Sequence, residues 1–253
     1  MTDYLILGVA AFVAGFVDAV VGGGGLVQLP ALFTVYPSAV PSSLLGTSKL
    51  AGVWGTSVAA FNYLKSVKLN WSVILPGAIA AFLLSFLGAI TVTYIPPTWL
   101  RMALPFVLAA IAVYTFANKD FGIVQREALN LVTERKLTVL FGALIGFYDG
   151  FFGPGTGSFF VFVFVRFLGH SFLSASAAAK VLNVACNAAA LIWFGVSGNI
   201  MVALGLSMAV CGVFGSLLGS NVAIRFGSAF VRKVFLLIVV CLIAKTAYDG
   251  FLR

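Results

Sequence analysis

Charge is what this sequence has least of. Charged residues make up 9% of the chain, and only seven of its 253 residues are acidic, whereas soluble domains average about 25% charged residues. A soluble globular domain is thereby excluded. Histidine occurs once, as His170, and cysteine three times, as Cys186, Cys211 and Cys241 inside apolar segments with no CxxC spacing. Neither a zinc site nor a disulfide framework is supported, and the cysteines read as small buried residues. A lone histidine without a repeated partner also removes the Ser/His/Asp constellation that an enzyme reading would need. The glycine-rich stretches are followed by no GK[ST] and preceded by no strand, so they are no nucleotide cradle. No metal and no cofactor is expected. The net charge of +8 is spread along short loops instead of clustering into a basic stripe. That distribution argues against nucleic acid as a partner and fits the positive-inside bias of membrane proteins.

Apolar residues are abundant: 62% of the chain, with a mean hydropathy of +1.13. Stretches with almost no charge, such as Trp71 to Tyr94 and Met201 to Val222, are long enough to cross a hydrocarbon core about 30 Å thick. The lipid bilayer is the expected surrounding. The start, MTDYLILGVAAF, lacks the basic residues that open a signal peptide and is expected to form the first retained helix.

The most informative feature is a duplication. GFVDAVVGGGG at Gly15 to Gly25 returns as GFYDGFFGPGTG at Gly146 to Gly157, and the offset of 131 residues continues without a gap: Asp18 maps to Asp149, Lys49 to Lys180, and Gly88 to Gly219. The chain therefore reads as one membrane domain over 1–253, with a first repeat at about 1–117, a polar linker at about 118–136 and a second repeat at about 137–253. The expected fold class is an all-α integral membrane protein. Each repeat has a first helix broken by glycine, a short segment after the break (Leu26 to Tyr36, Ser158 to Leu168), and three transmembrane helices. In the first repeat these run over Ser43–Leu64, Trp71–Tyr94 and Trp99–Ala117; in the second, Leu137 to Phe152 precedes the break, and Ser174–Phe194, Met201–Val222 and Ser228–Tyr248 follow it.

Whether the short segment completes a crossing or turns back decides the topology. If it crosses, the Lys and Arg residues outside the two motif lysines divide eight against five; if it turns back, they divide ten against three. Orientation follows the Lys/Arg bias of short loops. The sharper division favours inverted repeats with both termini outside.

Four glycines in a row at Gly22, Gly23, Gly24 and Gly25 lose roughly 1 kcal/mol of helix propensity each relative to alanine, and Gly153-Pro154-Gly155 also lacks one backbone donor. Unwound backbone at membrane depth is tolerated only where protein buries it or it lines a polar cavity. The helices that restart after each break would then aim N–H groups and a positive dipole end at an anion, with Gly153, Gly155, Thr156 and Gly157 forming the second such start. The plainer use of these glycines is close helix packing. Lys49 and Lys180 lie about two turns into their helices, where an unpaired charge costs several kcal/mol, so each is a candidate substrate-binding residue. The structural alternative pairs Lys49 with Asp18 and Lys180 with Asp149. Both uses are compatible: an incoming anion could displace the carboxylate, and Asp18 or Asp149 could then take up a proton. Thr47, Ser48, Thr56, Asn183 and Asn187 lie near the lysines and could orient an oxyanion or bond between helices. Arg101 and Arg232 read as interface anchors. The GxxxG at Gly215 to Gly219 reads first as local packing and second as a homodimer contact.

At these residues the sequence resembles a known family. GFVDAVVGGGGLVQLPAL, SSLLGTSKLAG and GFYDGFFGPGTGSF are similar to the paired signatures of the TauE/SafE-type sulfite exporter family, also called the 4-toluene sulfonate uptake permease family. The resemblance implies a multi-pass transporter of the bacterial inner membrane, carrying sulfite, sulfoacetate or another sulfonate. It implicates Asp18 with Gly22 to Gly25, Lys49, Asp149 with Gly153 to Gly157, and Lys180. The second copy carries Ala178 and Ala179 where the first has Thr47 and Ser48, so one central site lined unequally is expected. The expected function is secondary transport of a small anion by alternating access, with a passive anion channel or a carboxylate transporter as alternatives, and an enzyme or a scaffold as the rival from another class.

Overall fold

The computed structural model describes residues 2–96, 98–99 and 129–251, with residues 228–251 given by their backbone alone. Among them are eight helices and no strand: α1 (Thr2–Val21), α2 (Gly25–Val35), α3 (Pro41–Ser66), α4 (Trp71–Thr93), α5 (Leu131–Phe151), α6 (Thr156–Arg166), α7 (Phe172–Val196) and α8 (Val202–Phe251). In α8 a kink at Gly227, with φ of 70°, separates the two helices expected there. Four helices are long and apolar enough to cross a membrane: Thr2–Val21, Trp71–Thr93, Phe172–Val196 and Val202–Gly227. The chain is thus an all-helical membrane protein. Apart from Trp99, the helix expected over Trp99 to Ala117 lies outside the described residues, as do residues 118–128 of the linker and Arg101. The side chain of Arg232 is likewise outside them.

Local chemistry explains most boundaries. Asn70 Oδ1 accepts from Ser72 N–H at 3.2 Å to start α4, Ser171 Oγ accepts from Ser174 N–H at 3.2 Å to start α7, and Pro41 opens α3. One boundary departs from expectation. Helix α5 begins at Leu131, six residues before the expected Leu137, because Asn130 Oδ1 accepts from Thr133 N–H at 2.8 Å and Glu134 stands in the first turn. The polar run Glu134-Arg135-Lys136 is the solvated end of a membrane helix, with Arg135 and Lys136 exposed.

Lipid-facing and buried faces separate cleanly. Leu75, Ile79, Leu83 and Leu87 make a stripe on α4, each about half exposed; Leu206, Val210, Phe214 and Leu218, all 131 residues further on, make the same stripe on α8. The opposite faces carry small residues that bring backbones into contact. A Cβ on Gly15 would stand 2.1 Å from the Gly212 carbonyl oxygen, and one on Gly146 would stand 2.5 Å from that of Ala81. Gly88 meets the Phe147 carbonyl and Gly219 the Phe16 carbonyl in the same manner. These contacts seat α1 on α8 and α5 on α4, so each broken helix leans on a helix from the other half. Gly215 and Gly219 are both used against α1, which is the local-packing use of the GxxxG.

The short helices return along the helices that precede them. Tyr36, just past α2, lies near Asp3 and Tyr4; its phenol is pushed above the ordinary value by desolvation and by the Asp3 carboxylate. Beyond α6, His170 Nε2 meets Glu134 Oε1 at 2.8 Å, and Phe167 stacks on Phe141 at 5.3 Å. The first half of α1 and the end of α7 share one apolar cluster (Leu7, Ala11, Ala190, Phe194), whereas the second half of α1 and the start of α7 share another (Val17, Val20, Phe172, Ala175). The breaks lie between the two clusters.

Candidate functional site

Two glycine breaks meet at the centre. Gly22, with φ of 81°, sits so close to Gly157 that a Cβ there would be 2.3 Å from the Gly157 carbonyl carbon. Ser158 N–H donates to the Gly22 carbonyl at 3.1 Å, and Ser158 Oγ donates to the Val21 carbonyl at 2.9 Å. Two more carbonyls freed where α1 ends are satisfied: Ala19 O accepts from Tyr63 Oη at 3.0 Å, and Asp18 O accepts from Gly22 N–H at 2.8 Å and from Lys180 Nζ. At the second break Pro154 O accepts from Tyr148 Oη at 2.6 Å, and Thr156 Oγ1 donates to Gly153 O at 2.8 Å. Both helices unwind at their glycines, and protein groups meet much of the exposed backbone while the rest borders a cavity, as membrane depth requires.

The charge pairs cross between the halves. Lys49 on α3 pairs with Asp149 on α5, and Lys180 on α7 pairs with Asp18 on α1 at 3.0 Å. This corrects the pairing of Lys49 with Asp18 and Lys180 with Asp149. The reason is the interlocked packing: each lysine helix lies against the break of the opposite half, and Lys49 Nζ stands 3.1 Å from where a Cβ on Gly153 would be. The two pairs are in different situations. Lys180 is buried and also donates to the Asp18 carbonyl, while Asp18 Oδ2 accepts a further bond from Thr56 at 3.0 Å. Lys49 has Asp149 as its single charged partner and borders a cavity.

That cavity measures about 60 Å³. One water needs roughly 10–15 Å³ on such a measure, so the space suits a solute of a few heavy atoms. Of the residues expected at a site, Asp18, Gly22, Gly24, Gly25, Ser48, Lys49, Asp149, Gly153, Gly157, Asn183 and Asn187 line it. Gly23, Thr47, Gly155, Thr156 and Lys180 do not. Thr47 instead accepts from Met201 N–H at 2.9 Å and ties the start of α8 to α3. Gly155 takes φ of 81° ahead of α6, and Thr156 closes the turn behind it. The two helix starts also differ. Gly24 and Gly25 N–H have no acceptor among the described residues and border the cavity, whereas the start of α6 is partly closed by the Gly22 carbonyl. Two polar lining residues are not among those expected: Gln28, one turn into α2 and buried, and Ser216 on α8. A single amide in an otherwise apolar segment directly after four glycines was the available signal for Gln28.

Comparison with known proteins bears on what such a cavity serves. Residues 7–246 match the family described as sulfite exporter TauE/SafE. A protein of Sinorhizobium sp named probable membrane transporter protein ORF9 is 36% identical over 241 residues, covering 95% of this chain and 91% of the relative. The probable membrane transporter protein YfcA of Escherichia coli strain K12 is 32% identical over 253 residues, covering 99% and 93%. A probable membrane transporter protein of Haemophilus influenzae is 35% identical over 249 residues, covering 96% and 94%. No solved structure matches the chain.

Proposed function

Because the chain belongs to the sulfite exporter TauE/SafE family of membrane transporters, we propose that it is a secondary transporter of a small sulfur-containing anion such as sulfite, sulfoacetate or another sulfonate. The observation that carries this reading is the Lys49 ion pair on the wall of a cavity about 60 Å³ in size, beside the free N–H groups of Gly24 and Gly25. A buried cation and a helix start together favour a small oxyanion. The anion takes the Lys49 ammonium from Asp149, and the released carboxylate is the first candidate for proton uptake, which would couple anion to proton. Ser48 orients the bound oxygens, and Asp18, held by Lys180, forms part of the lining.

Alternating access is the mechanism we attach to this site, with the two repeats inverted relative to each other in a bacterial inner membrane and the termini on the periplasmic side. Supporting the inversion are the contacts that recur at the offset of 131 residues and the return of α2 and α6 along the helices before them. A passive channel requires a continuous pore.

The test is uptake of labelled sulfite, sulfoacetate, taurine and a carboxylate control into proteoliposomes, with and without a pH gradient. Saturable flux of one sulfur oxyanion that falls to background in Lys49→Ala is the expected result. Flux that neither saturates nor responds to a gradient would convert the reading to a channel, and flux untouched by Lys49→Ala would remove Lys49 from the site.

A further inference from the structure

The cavity holds more hydrogen-bonding capacity than an oxyanion alone can use. Lys49 and the N–H groups of Gly24 and Gly25 only donate, and they suit the oxygens of an anionic head. The rest of the polar lining is different in kind. Asn183 and Asn187 are 5% and 8% exposed and border the cavity, and their side-chain amides make no hydrogen bond among the described residues. Their spacing of four residues puts the two amides one above the other on a single face of α7, about 5–6 Å apart at Cβ. Gln28 Nε2 donates to the Ser48 carbonyl at a long 3.5 Å, and its amide oxygen accepts no hydrogen bond among the described residues. Asp18 accepts its side-chain bonds on Oδ2 alone, from Lys180 and Thr56, and its carboxylate also borders the cavity.

An amide carries an acceptor and two donors at once, so an asparagine that turns its NH2 toward a ligand still has a carbonyl oxygen to satisfy. A ligand made only of acceptor oxygens would meet the donors and leave these carbonyl and carboxylate oxygens facing lone pairs. Buried polar groups left unpaired in this way cost free energy each time such a ligand binds. None of the three amides is repeated: the positions that correspond to Asn183 and Asn187 in the first repeat are Gly52 and Thr56, and the counterpart of Gln28 is Phe159.

Resting on the anion site described above, we propose that the substrate is a small monovalent anion that also carries a hydrogen-bond donor, an O–H or N–H group, which Asn183 and Asn187 read. The anionic head lies at Lys49 and the start of α2, and the donor points across to the amides of α7. Such a ligand satisfies both kinds of group. An isosteric anion with a methyl in place of the hydroxyl satisfies only the first.

The experiment compares labelled hydroxymethanesulfonate with ethanesulfonate, two anions of equal charge and equal heavy-atom count, for uptake into proteoliposomes holding the whole chain, with sulfite alongside. The hydroxyl-bearing anion is expected to enter at least tenfold faster. Asn183→Leu and Asn187→Leu proteins, checked for a monodisperse elution profile, are expected to slow hydroxymethanesulfonate until the two rates lie within about twofold of each other. Equal rates in the unsubstituted protein would overturn the inference and leave the anion site standing. A preference that persists in both leucine variants would take the discrimination away from these asparagines and overturn their assignment. Absence of flux for all three anions would instead remove the transport reading itself, and the inference with it.

Discussion

The pairs Lys49–Asp149 and Lys180–Asp18 are built from residues that match at an offset of 131 in the sequence, and they differ in what surrounds them. Lys180 is sealed, bonded to both the carboxylate and the main-chain oxygen of Asp18, and Asp18 is held in addition by Thr56. Lys49 has one carboxylate partner and a cavity beside it. A lysine tied down by several bonds fastens one helix to another, whereas a lysine with a single partner and free space can exchange that partner for a ligand. On the proposed reading, residues of matched type take different roles because their surroundings differ.

The largest effect should come from removing the exchangeable charge. Lys49→Met is expected to abolish anion uptake, by 100-fold or more, and to strand Asp149 in a buried position at a cost of about 3–5 kcal/mol. The double variant Lys49→Met/Asp149→Leu should regain most of the stability in thermal unfolding in detergent and none of the uptake. Lys180→Met should lose stability on the same scale, and Lys180→Met/Asp18→Leu should recover measurable uptake along with stability. If both double variants are equally dead, the distinction between exchanging and fastening pairs fails.

The crossing itself can be measured. A double-mutant cycle on thermal stability should give about 1–3 kcal/mol of coupling for Lys49 with Asp149 and for Lys180 with Asp18, and close to none for Lys49 with Asp18. Coupling within a repeat in place of coupling across repeats would overturn the interlocked arrangement.

A third change sharpens the comparison at the cavity. Gly52 lines it, and a Cβ there would meet no atom within 4 Å. Gly52→Leu should therefore fill the space with little loss of stability and lower uptake by about tenfold or more. The same substitution at Gly55, where a Cβ would stand 2.8 Å from Ser216 Oγ, should instead cost folded yield.

Much of this architecture could be read from the sequence because glycine, proline and buried charge are rare, specific signals in an apolar chain. The breaks fall at Gly22 and Gly153 as expected, and the helices between Pro41 and Thr93 and between Phe172 and Val196 lie within two residues of their expected ends. The pairing was not legible. Lys49 and Asp149 are 100 residues apart and Lys180 and Asp18 are 162 apart, and nothing in a single sequence distinguishes a lysine that reaches its own repeat's aspartate from one that reaches the other's. The start of α5 was hidden for a different reason. Exposed Arg135 and Lys136 give a helix end the composition of a linker, and the Asn130 cap that decides the matter is a single residue. Gln28 was overlooked because attention to repeated residues passes over one whose counterpart, Phe159, is apolar.

The smallest expected effect concerns how the two breaks are joined. Ser158 Oγ donates to the Val21 carbonyl at 2.9 Å, and the Ser158 N–H donates to Gly22 O at 3.1 Å. Ser158→Ala removes the first bond and keeps the second, leaving one carbonyl at the end of α1 without its donor. A cost of about 1–2 kcal/mol is expected in thermal unfolding, with uptake reduced by less than threefold because neither Lys49 nor the start of α2 is touched. The comparable change at the second break, Thr156→Ala, takes a bond from Gly153 O that Thr156 N–H also supplies at 3.3 Å, so its cost should be smaller still. A larger loss at Thr156 than at Ser158 would mean that the second break, and with it the Lys49–Asp149 side of the site, is the more strained of the two.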